Sequence, residues 1–178
     1  MKISIVIPST NETKYVKDLI GFIKSNSNPN NIEEIIIVES FNTKQIIKVA
    51  EKGHAKLYFN LVSDKNIQME IGAFEANAEV IYFIKPGCVP PIGFDDRILK
   101  YVRAKYEMGC FDFEHSNADN YFKYLYKIFK AFFLKNIRSP KSFYVLNNLY
   151  YQTVGFKADV NYLKIRKQVL ALGKQVHN

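Results

Sequence analysis

The sequence lacks several features that would assign a protein to a class at once. It has two cysteines, Cys88 and Cys110, which form no CxxC pair, so we expect neither a disulfide framework nor a redox motif. No stretch approaches the roughly 20 apolar residues of a membrane-spanning helix. The apolar run at the N-terminus is short and ends at Pro8, which does not fit a signal peptide. These absences predict a soluble, cytoplasmic protein with ordinary core thiols.

Common catalytic and nucleotide-binding motifs are missing as well. The chain contains no GxGxxG, no GxxxxGK[ST], no HExxH and no GxSxG. This excludes a dinucleotide fingerprint, a P-loop, a zincin site and a nucleophile elbow. The three histidines, His54, His115 and His177, are scattered, and we expect them in surface or loop positions.

Acidic residues are scarce in the last third of the chain. Residues 121–178 contain 11 Lys/Arg and one acid, Asp159, whereas residues 1–120 contain 14 Lys/Arg and 16 acids. The net charges are therefore +10 and −2. A basic third predicts an anionic partner, namely lipid phosphate, nucleic acid or an acidic substrate, or else a solvated basic face.

One basic segment, residues 121–134, interleaves lysines with aromatic residues. Lys123, Lys127 and Lys130 fall on one face of a helix, and aromatic side chains surround the rest. Two interpretations are open. The segment is either a core helix with its lysines in water, or an interfacial helix that contacts a membrane surface through anionic headgroups.

The order of apolar runs predicts the fold class. With 178 residues and 48% hydrophobic composition, the chain suits one domain, 1–178. The predicted strands are 3–7, 35–38, 56–59 and 79–84, and the predicted helices between them lie near 15–24, 43–52 and 67–77. This β-α-β-α-β-α-β pattern indicates an α/β fold with a mainly parallel sheet flanked by helices on both faces.

Several boundaries can also be predicted. The first helix should bury Tyr15, Leu19, Phe22 and Ile23 and be capped by Asn11 or Thr13, and the second should stop at Gly53. The second half of the chain is less regular, with a predicted strand at 110–114 and predicted helices at 146–153 and 160–172.

A ligand site follows from the predicted sheet. In open parallel sheets, ligands bind outside the carboxyl ends of the strands. Three loops, 8–12, 39–42 and 85–90, follow three of the predicted strands and are separate in sequence. We expect them to meet on one rim of the sheet.

Four local patterns follow one another along nearly the whole chain, about residues 1–172: ISIVIPSTNE at 3–12, EIIIVES at 34–40, NIQMEIGA at 66–73 and the segment 142–160. Together they resemble family 2 glycosyltransferases of GT-A fold. Residues 3–12, ISIVIPSTNE, are similar to the first strand of that family and its Pro-x-x-Asn-Glu loop. Residues 34–40, EIIIVES, resemble the second strand with its terminal acid, and residues 66–73, NIQMEIGA, resemble the helix over the donor. Residues 142–160 resemble the acceptor-side segment.

The resemblance implies a fold, an activity and a set of site residues. It implies a Rossmann-like nucleotide-sugar-binding half, 1–91, and an acceptor-side half, 92–178. The activity would be transfer of a sugar from a UDP- or GDP-linked donor to an acceptor hydroxyl, with Asp159 as the general base. Glu39 would contact the nucleobase of the donor, and Asn11 and Glu12 would bind the ribose or shape the loop. The full set of nucleotide-sugar-binding candidates is Pro8, Ser9, Asn11, Glu12, Glu39, Asn66, Gln68, Gly72, Lys85 and Gly87.

The departure from the family lies at residues 85–91, KPGCVPP. The family carries an Asp-x-Asp metal motif there, and this chain has Lys85 and Gly87. The family therefore implies Mn²⁺ or Mg²⁺, but neither residue can ligate it as a carboxylate would, and no metal ligand is assigned. Three explanations are open: a metal-independent enzyme with Lys85 at the diphosphate, substitution by Asp95 or Asp96, or a degenerate binding protein.

Other functions and partners remain open on the sequence. A catalytically degenerate relative would bind a nucleotide or a partner without turnover. A nucleic-acid binder would use the basic last third, although no nucleic-acid motif accompanies it. The acceptor would be a glycan, a lipid or a protein. Because little sequence is available to build the acceptor side, a homo-oligomer or partner is expected to complete it.

Overall fold

The computed structural model describes residues 1–111 and 141–154. Six strands lie in these ranges: β1 Ile3–Ser9, β2 Ile32–Glu39, β3 Lys56–Phe59, β4 Val80–Ile84, β5 Met108–Cys110 and β6 Ser142–Leu146. The helices are α1 Thr13–Asn26, α2 Lys44–Gly53, α3 Lys65–Phe74, α4 Phe94–Arg103 and α5 Asn147–Val154, with a 3₁₀ turn at Pro29–Asn31. The predictions at 121–134, at 160–172 and at Asp159 lie outside the described residues.

The described strands form one mixed sheet in the order β3-β2-β1-β4-β6-β5. β1 pairs in parallel with β2 and β4, and β2 pairs in parallel with β3. β6 is antiparallel to both β4 and β5. The predicted α/β class with a mainly parallel sheet is therefore confirmed. Strand β6 was not predicted, because its five residues carry no alternating pattern and lie beside a predicted helix.

Two hydrophobic cores cover the two faces of the sheet. On one face, side chains of β1, β2 and β4 pack against α1, α2 and α4, and Ile5, Ile37 and Tyr82 are fully buried there. On the other face, Val6, Ile36 and Phe83 pack against α3 and α5. Strands buried on both faces explain the continuous β-branched runs in β1 and β2, since no face is left for polar residues.

Helix α1 is rotated relative to the sequence prediction. It buries Val16, Leu19, Ile20 and Ile23, whereas Tyr15 is 54% exposed. The predicted caps are also wrong. Glu12 occupies the N-cap position without a side-chain cap bond, because its carboxylate accepts from the Lys65 ammonium and the Thr10 amide.

Helix α2 stops at Gly53 as predicted, and this glycine also has a packing role. Gly53 is the last helical residue, and the left-handed residue that follows is His54, with φ 47°. A Cβ on Gly53 would lie 3.0 Å from Cγ2 of Ile20 in α1. The glycine therefore permits the close approach of α1 and α2. At the start of α2, Thr43 accepts a hydrogen bond from the Ile46 amide, as an N-cap should.

In the part of the chain that the structure describes, no helix is long and apolar enough to cross a membrane.

Gly72 sets the distance between α3 and the sheet. It is buried on the side of α3 that faces β1, and a Cβ at this position would clash with Cγ1 of Val6. A residue with a side chain would therefore push α3 away from β1. Because α3 carries residues of the candidate site, this spacing also sets the geometry of that site.

We predict that Gly72→Ala destabilises the protein by about 1–3 kcal/mol, the usual cost of overpacking a core. The matched control is Gly21→Ala in α1, where nothing lies within 4 Å of an added Cβ. That change should stabilise the protein by up to about 1 kcal/mol, because alanine favours helix. Urea denaturation followed by circular dichroism measures both.

A double variant tests the assigned contact. Val6→Ala removes the two methyl groups that the new Cβ would meet, so Gly72→Ala should cost less in that background than in wild type. Equal costs in both backgrounds would mean that Val6 does not set the spacing of α3.

Candidate functional site

The candidate site lies where the strand order reverses. β2 and β3 extend from β1 on one side, and β4 lies on the other. The carboxyl ends of β1 and β4 therefore border a crevice at a topological switch point, where open α/β sheets bind ligands. The loops 8–12, 39–42 and 85–90 follow β1, β2 and β4. The structure brings them to one edge of the sheet, as the sequence predicted.

Glu39 holds two of these loops together. Its side chain is 1% exposed at the end of β2. One carboxylate oxygen accepts a hydrogen bond from the Ser9 hydroxyl at 2.6 Å. The other accepts from the backbone amides of Asn11, Ser40 and Phe41 at 2.8, 2.8 and 3.1 Å. These donors satisfy a carboxylate that would otherwise be costly to bury.

Gln68 ties the same loops to α3. It is fully buried, and its Nε2 donates to the Ser9 carbonyl at 2.6 Å and to the Ser40 hydroxyl at 2.8 Å. Its Oε1 is buried without a hydrogen-bond partner among the described residues. Gln68 therefore fixes α3 against the carboxyl ends of β1 and β2 and presents no open surface to a ligand in this conformation.

A cleft of about 440 Å³ opens between the ends of β1 and β4. Three lysines and one carboxylate lie in its wall, so its charge is positive. Glu12 and Lys65 form an ion pair at 3.1 Å. The lining residues are Glu12, Lys65, Lys85, Pro86, Gly87, Cys88, Val89 and Lys141.

The surroundings of Lys85 disfavour its charged ammonium form. Burial, and then the nearby positive charge of Lys65, lower the pKa of Lys85 below its ordinary value. Burial likewise raises the pKa of the neighbouring Cys88 thiol. An anion bound in the cleft would raise the pKa of Lys85 again, because a nearby negative charge favours the charged ammonium.

The residues at the end of β4 do not fit a divalent cation. Among the described residues, no group of three or more His, Cys, Asp or Glu side chains could hold a metal ion. The one carboxylate in the cleft is already paired with Lys65, and hard cations need several oxygen ligands. The Mn²⁺ or Mg²⁺ site that the family resemblance implies therefore has no ligand set among the described residues that line this cleft.

Substitution by Asp95 or Asp96, one of the sequence hypotheses, is wrong. Asp95 is fully buried at the start of α4 and accepts from the Asn28 amide and the Asn31 side chain at 2.9 and 2.8 Å. Asp96 accepts from the same Asn31 side chain. Asn28 and Asn31 precede β2, so both acids lie toward the amino end of that strand. They tie α4 to this loop instead of reaching the cleft.

The other predicted site residues fall into three groups. Ser9, Asn11, Glu12, Lys85 and Gly87 lie at the loops or cleft just described, and Gly87 adopts φ 79°. Pro8, Gln68 and Gly72 are buried in the sheet or beneath the loops, and Asn66 is exposed in the first turn of α3. Asp159 lies outside the described residues, so its role stays a prediction.

Sequence reasoning missed two lysines of the cleft. Lys65 is the first residue of α3 and Lys141 directly precedes β6. A lysine at either place looks like an ordinary surface residue in the sequence. The signal that could have found Lys65 is its position one residue before the motif at 66–73. Lys141 could not be placed without knowing that β6 pairs with β4.

The described fold is shared with glycosyltransferases of known structure. TarS 1–349 from S. aureus aligns with a TM-score of 0.66 and 13% identity, over 93% of this chain and 53% of that chain. The mannosyltransferase PcManGT from Pyrobaculum calidifontis, solved with GDP-Man and Mn²⁺, gives 0.66 and 13% over 92% and 50%. Glucosyl-3-phosphoglycerate synthase from Mycobacterium tuberculosis, solved with Mn²⁺, UDP and phosphoglyceric acid, gives 0.62 and 13% over 83% and 56%.

These likenesses establish the fold, which is that of the GT-A glycosyltransferases. The chain spans about half the length of the structures it matches. No protein-family model matches the sequence, and comparison with curated proteins gives no match.

We predict that the loops depend on the oxygens of Glu39 more than on its charge. Glu39→Gln keeps one oxygen for the three backbone amides, and its new NH₂ can donate to the Ser9 hydroxyl. Glu39→Ala leaves all four donors without this acceptor and should cost about 2 kcal/mol or more. Urea denaturation of both variants measures the difference, and equal costs would contradict the arrangement.

Proposed function

We propose that this chain binds a nucleotide-sugar donor at the cleft between β1 and β4 and transfers the sugar to an acceptor hydroxyl. The single observation that carries the proposal is a lysine-lined cleft at the switch point of a GT-A fold. In such a fold the crevice at this point is the general place for a ligand. The positive wall suits a ligand that carries a diphosphate.

The loops beside the cleft support the same donor. Asn11 has its amide fixed by Glu39 and its side chain exposed, and Glu12 lies in the cleft wall. We assign these two residues to the ribose hydroxyls, and Lys85 to the diphosphate. The bound UDP and GDP-Man of the matched structures are consistent with a donor of this class.

The proposed reaction needs one base and one leaving group. A carboxylate, assigned to Asp159, takes the proton of the acceptor hydroxyl while the oxygen of that hydroxyl bonds to the anomeric carbon of the sugar. The bond between that carbon and the diphosphate oxygen breaks, and the nucleoside diphosphate leaves with the electron pair. Positive charge near the departing oxygens would stabilise this transition state.

A second function is favoured by one specific observation. Lys85 and Gly87 stand where the resembling family carries two aspartates, and residues 1–111 and 141–154 supply no other ligand set for a metal at the cleft. A protein that binds the nucleotide and no longer turns it over would have the same cleft. Both functions require binding of the nucleotide, and only the first requires turnover of the nucleotide-sugar donor.

We predict that the protein binds UDP or GDP, or one of their common sugar conjugates, and slowly hydrolyses the matching donor. Calorimetric titration measures the binding, and release of nucleoside diphosphate measures the turnover. Asp159→Asn should keep the affinity and lower turnover about 10²- to 10⁴-fold, the usual contribution of a general base.

Three results would change this assignment. Binding without turnover in the wild-type chain would favour the second function. Equal turnover in wild type and Asp159→Asn would remove Asp159 as the base. If none of these nucleotides or conjugates binds, with or without Mn²⁺, the proposed donor site is wrong.

A further inference from the structure

The cleft draws its positive charge from three separate parts of the chain. Lys65 begins α3, Lys85 follows β4 and Lys141 precedes β6. All three line the same cavity of about 440 Å³. Like charges that line one cavity repel each other, and a bound anion would relieve that repulsion.

Backbone pairing fixes two of these lysines side by side. Ile84 in β4 is opposite Ser142 in β6, so Lys85 and Lys141 continue the antiparallel register. The Lys85 amide donates to the Lys141 carbonyl at 3.1 Å. The two side chains therefore start from neighbouring points of one sheet edge, at the position where the resembling family holds a metal ion.

The third lysine, Lys65, is held in place by an ion pair within the cleft. The Lys65 ammonium is ion-paired to Glu12 at 3.1 Å, and Glu12 also accepts from the Thr10 amide at 3.4 Å. Lys65 is near enough to Lys85 for the positive charge of Lys65 to lower the pKa of Lys85. Among the described residues, Glu12 is the one carboxylate that lines the cleft with these three lysines, and a bound anion would add negative charge beside them.

We infer that Lys65, Lys85 and Lys141 form a lysine clamp that neutralises a diphosphate in place of a divalent cation. This inference rests on the proposed function for the nucleoside part of the ligand, and on the cleft itself for the diphosphate. Lysine ammonium groups bind phosphate oxygens as point charges with three donors each. A clamp of this kind needs no metal ligand at residues 85–87.

The test is calorimetric titration of the full chain with inorganic pyrophosphate and, separately, with UDP, each in EDTA and in Mn²⁺. The clamp predicts that both probes bind in EDTA and that binding weakens as salt is raised. Lys85→Ala and Lys141→Ala should each weaken pyrophosphate binding by about three- to tenfold. Lys85→Arg, which keeps the charge, should lose less.

The matched control is Lys48→Ala, an exposed lysine on α2 that does not line the cleft. It should bind both probes as wild type does. Because Lys141 is exposed, its replacement should leave the fold intact, which thermal denaturation checks. Lys141→Ala therefore keeps the test valid if the half-buried Lys85 proves necessary for folding.

The outcomes separate this inference from the proposed function. Binding that requires Mn²⁺, or equal affinity in wild type and both alanine variants, overturns the clamp and leaves a donor site standing. Binding of pyrophosphate through the lysines without binding of UDP, GDP or their sugar conjugates supports the clamp and overturns the proposed donor. Absence of binding for pyrophosphate, UDP and GDP in both conditions overturns both.

Discussion

The buried carboxylate of Glu39 is the interaction on which the rest of the site depends. Burying a charged group is costly unless donors surround it, and here a hydroxyl and three backbone amides do so. Those donors come from the loops after β1 and β2, so the cost of burial is met only when both loops are in place. Gln68 extends the same network to α3. The strand ends and the helix beside the cleft are thereby held as one unit.

The loops after β1 and β2 and the cleft beside them use their polar groups differently. Within the buried network of Glu39 and Gln68, the polar groups bond to one another, and both carboxylate oxygens of Glu39 accept hydrogen bonds. Among the described residues, three lysines and one carboxylate line the cleft beside this network, and burial and the charge of Lys65 lower the pKa of Lys85. In the proposed reaction, a preorganised positive site of this kind would stabilise negative charge on the departing group without reorganising. The cleft is also where the sequence departs from the family resemblance, with Lys85 and Gly87 in place of two aspartates.

The sequence predicted the order of strands and helices because period and turn residues are local signals. The buried strands β1 and β2 and the end of α2 at Gly53 are of this kind. The prediction failed where a tertiary contact decides the outcome. Tyr15 of α1 is exposed although it was expected in the core, and the contacts of Gly53 with Ile20 and of Gly72 with Val6 were not predicted. At the candidate site, motif position predicted Glu39 and Lys85, and the structure places Glu39 buried beneath the loops and Lys85 in the cleft wall. Lys141 depends on a strand pairing that no local pattern reveals.

A crystal structure of the chain with UDP bound in the presence of EDTA tests most directly whether lysines replace a metal ion in the cleft. We expect the diphosphate between β1 and β4, with phosphate oxygens within hydrogen-bond distance of the Lys85 and Lys141 ammonium groups and no metal ion. A diphosphate bound elsewhere, or bound in the cleft only when Mn²⁺ is supplied and held through that ion, would contradict this expectation.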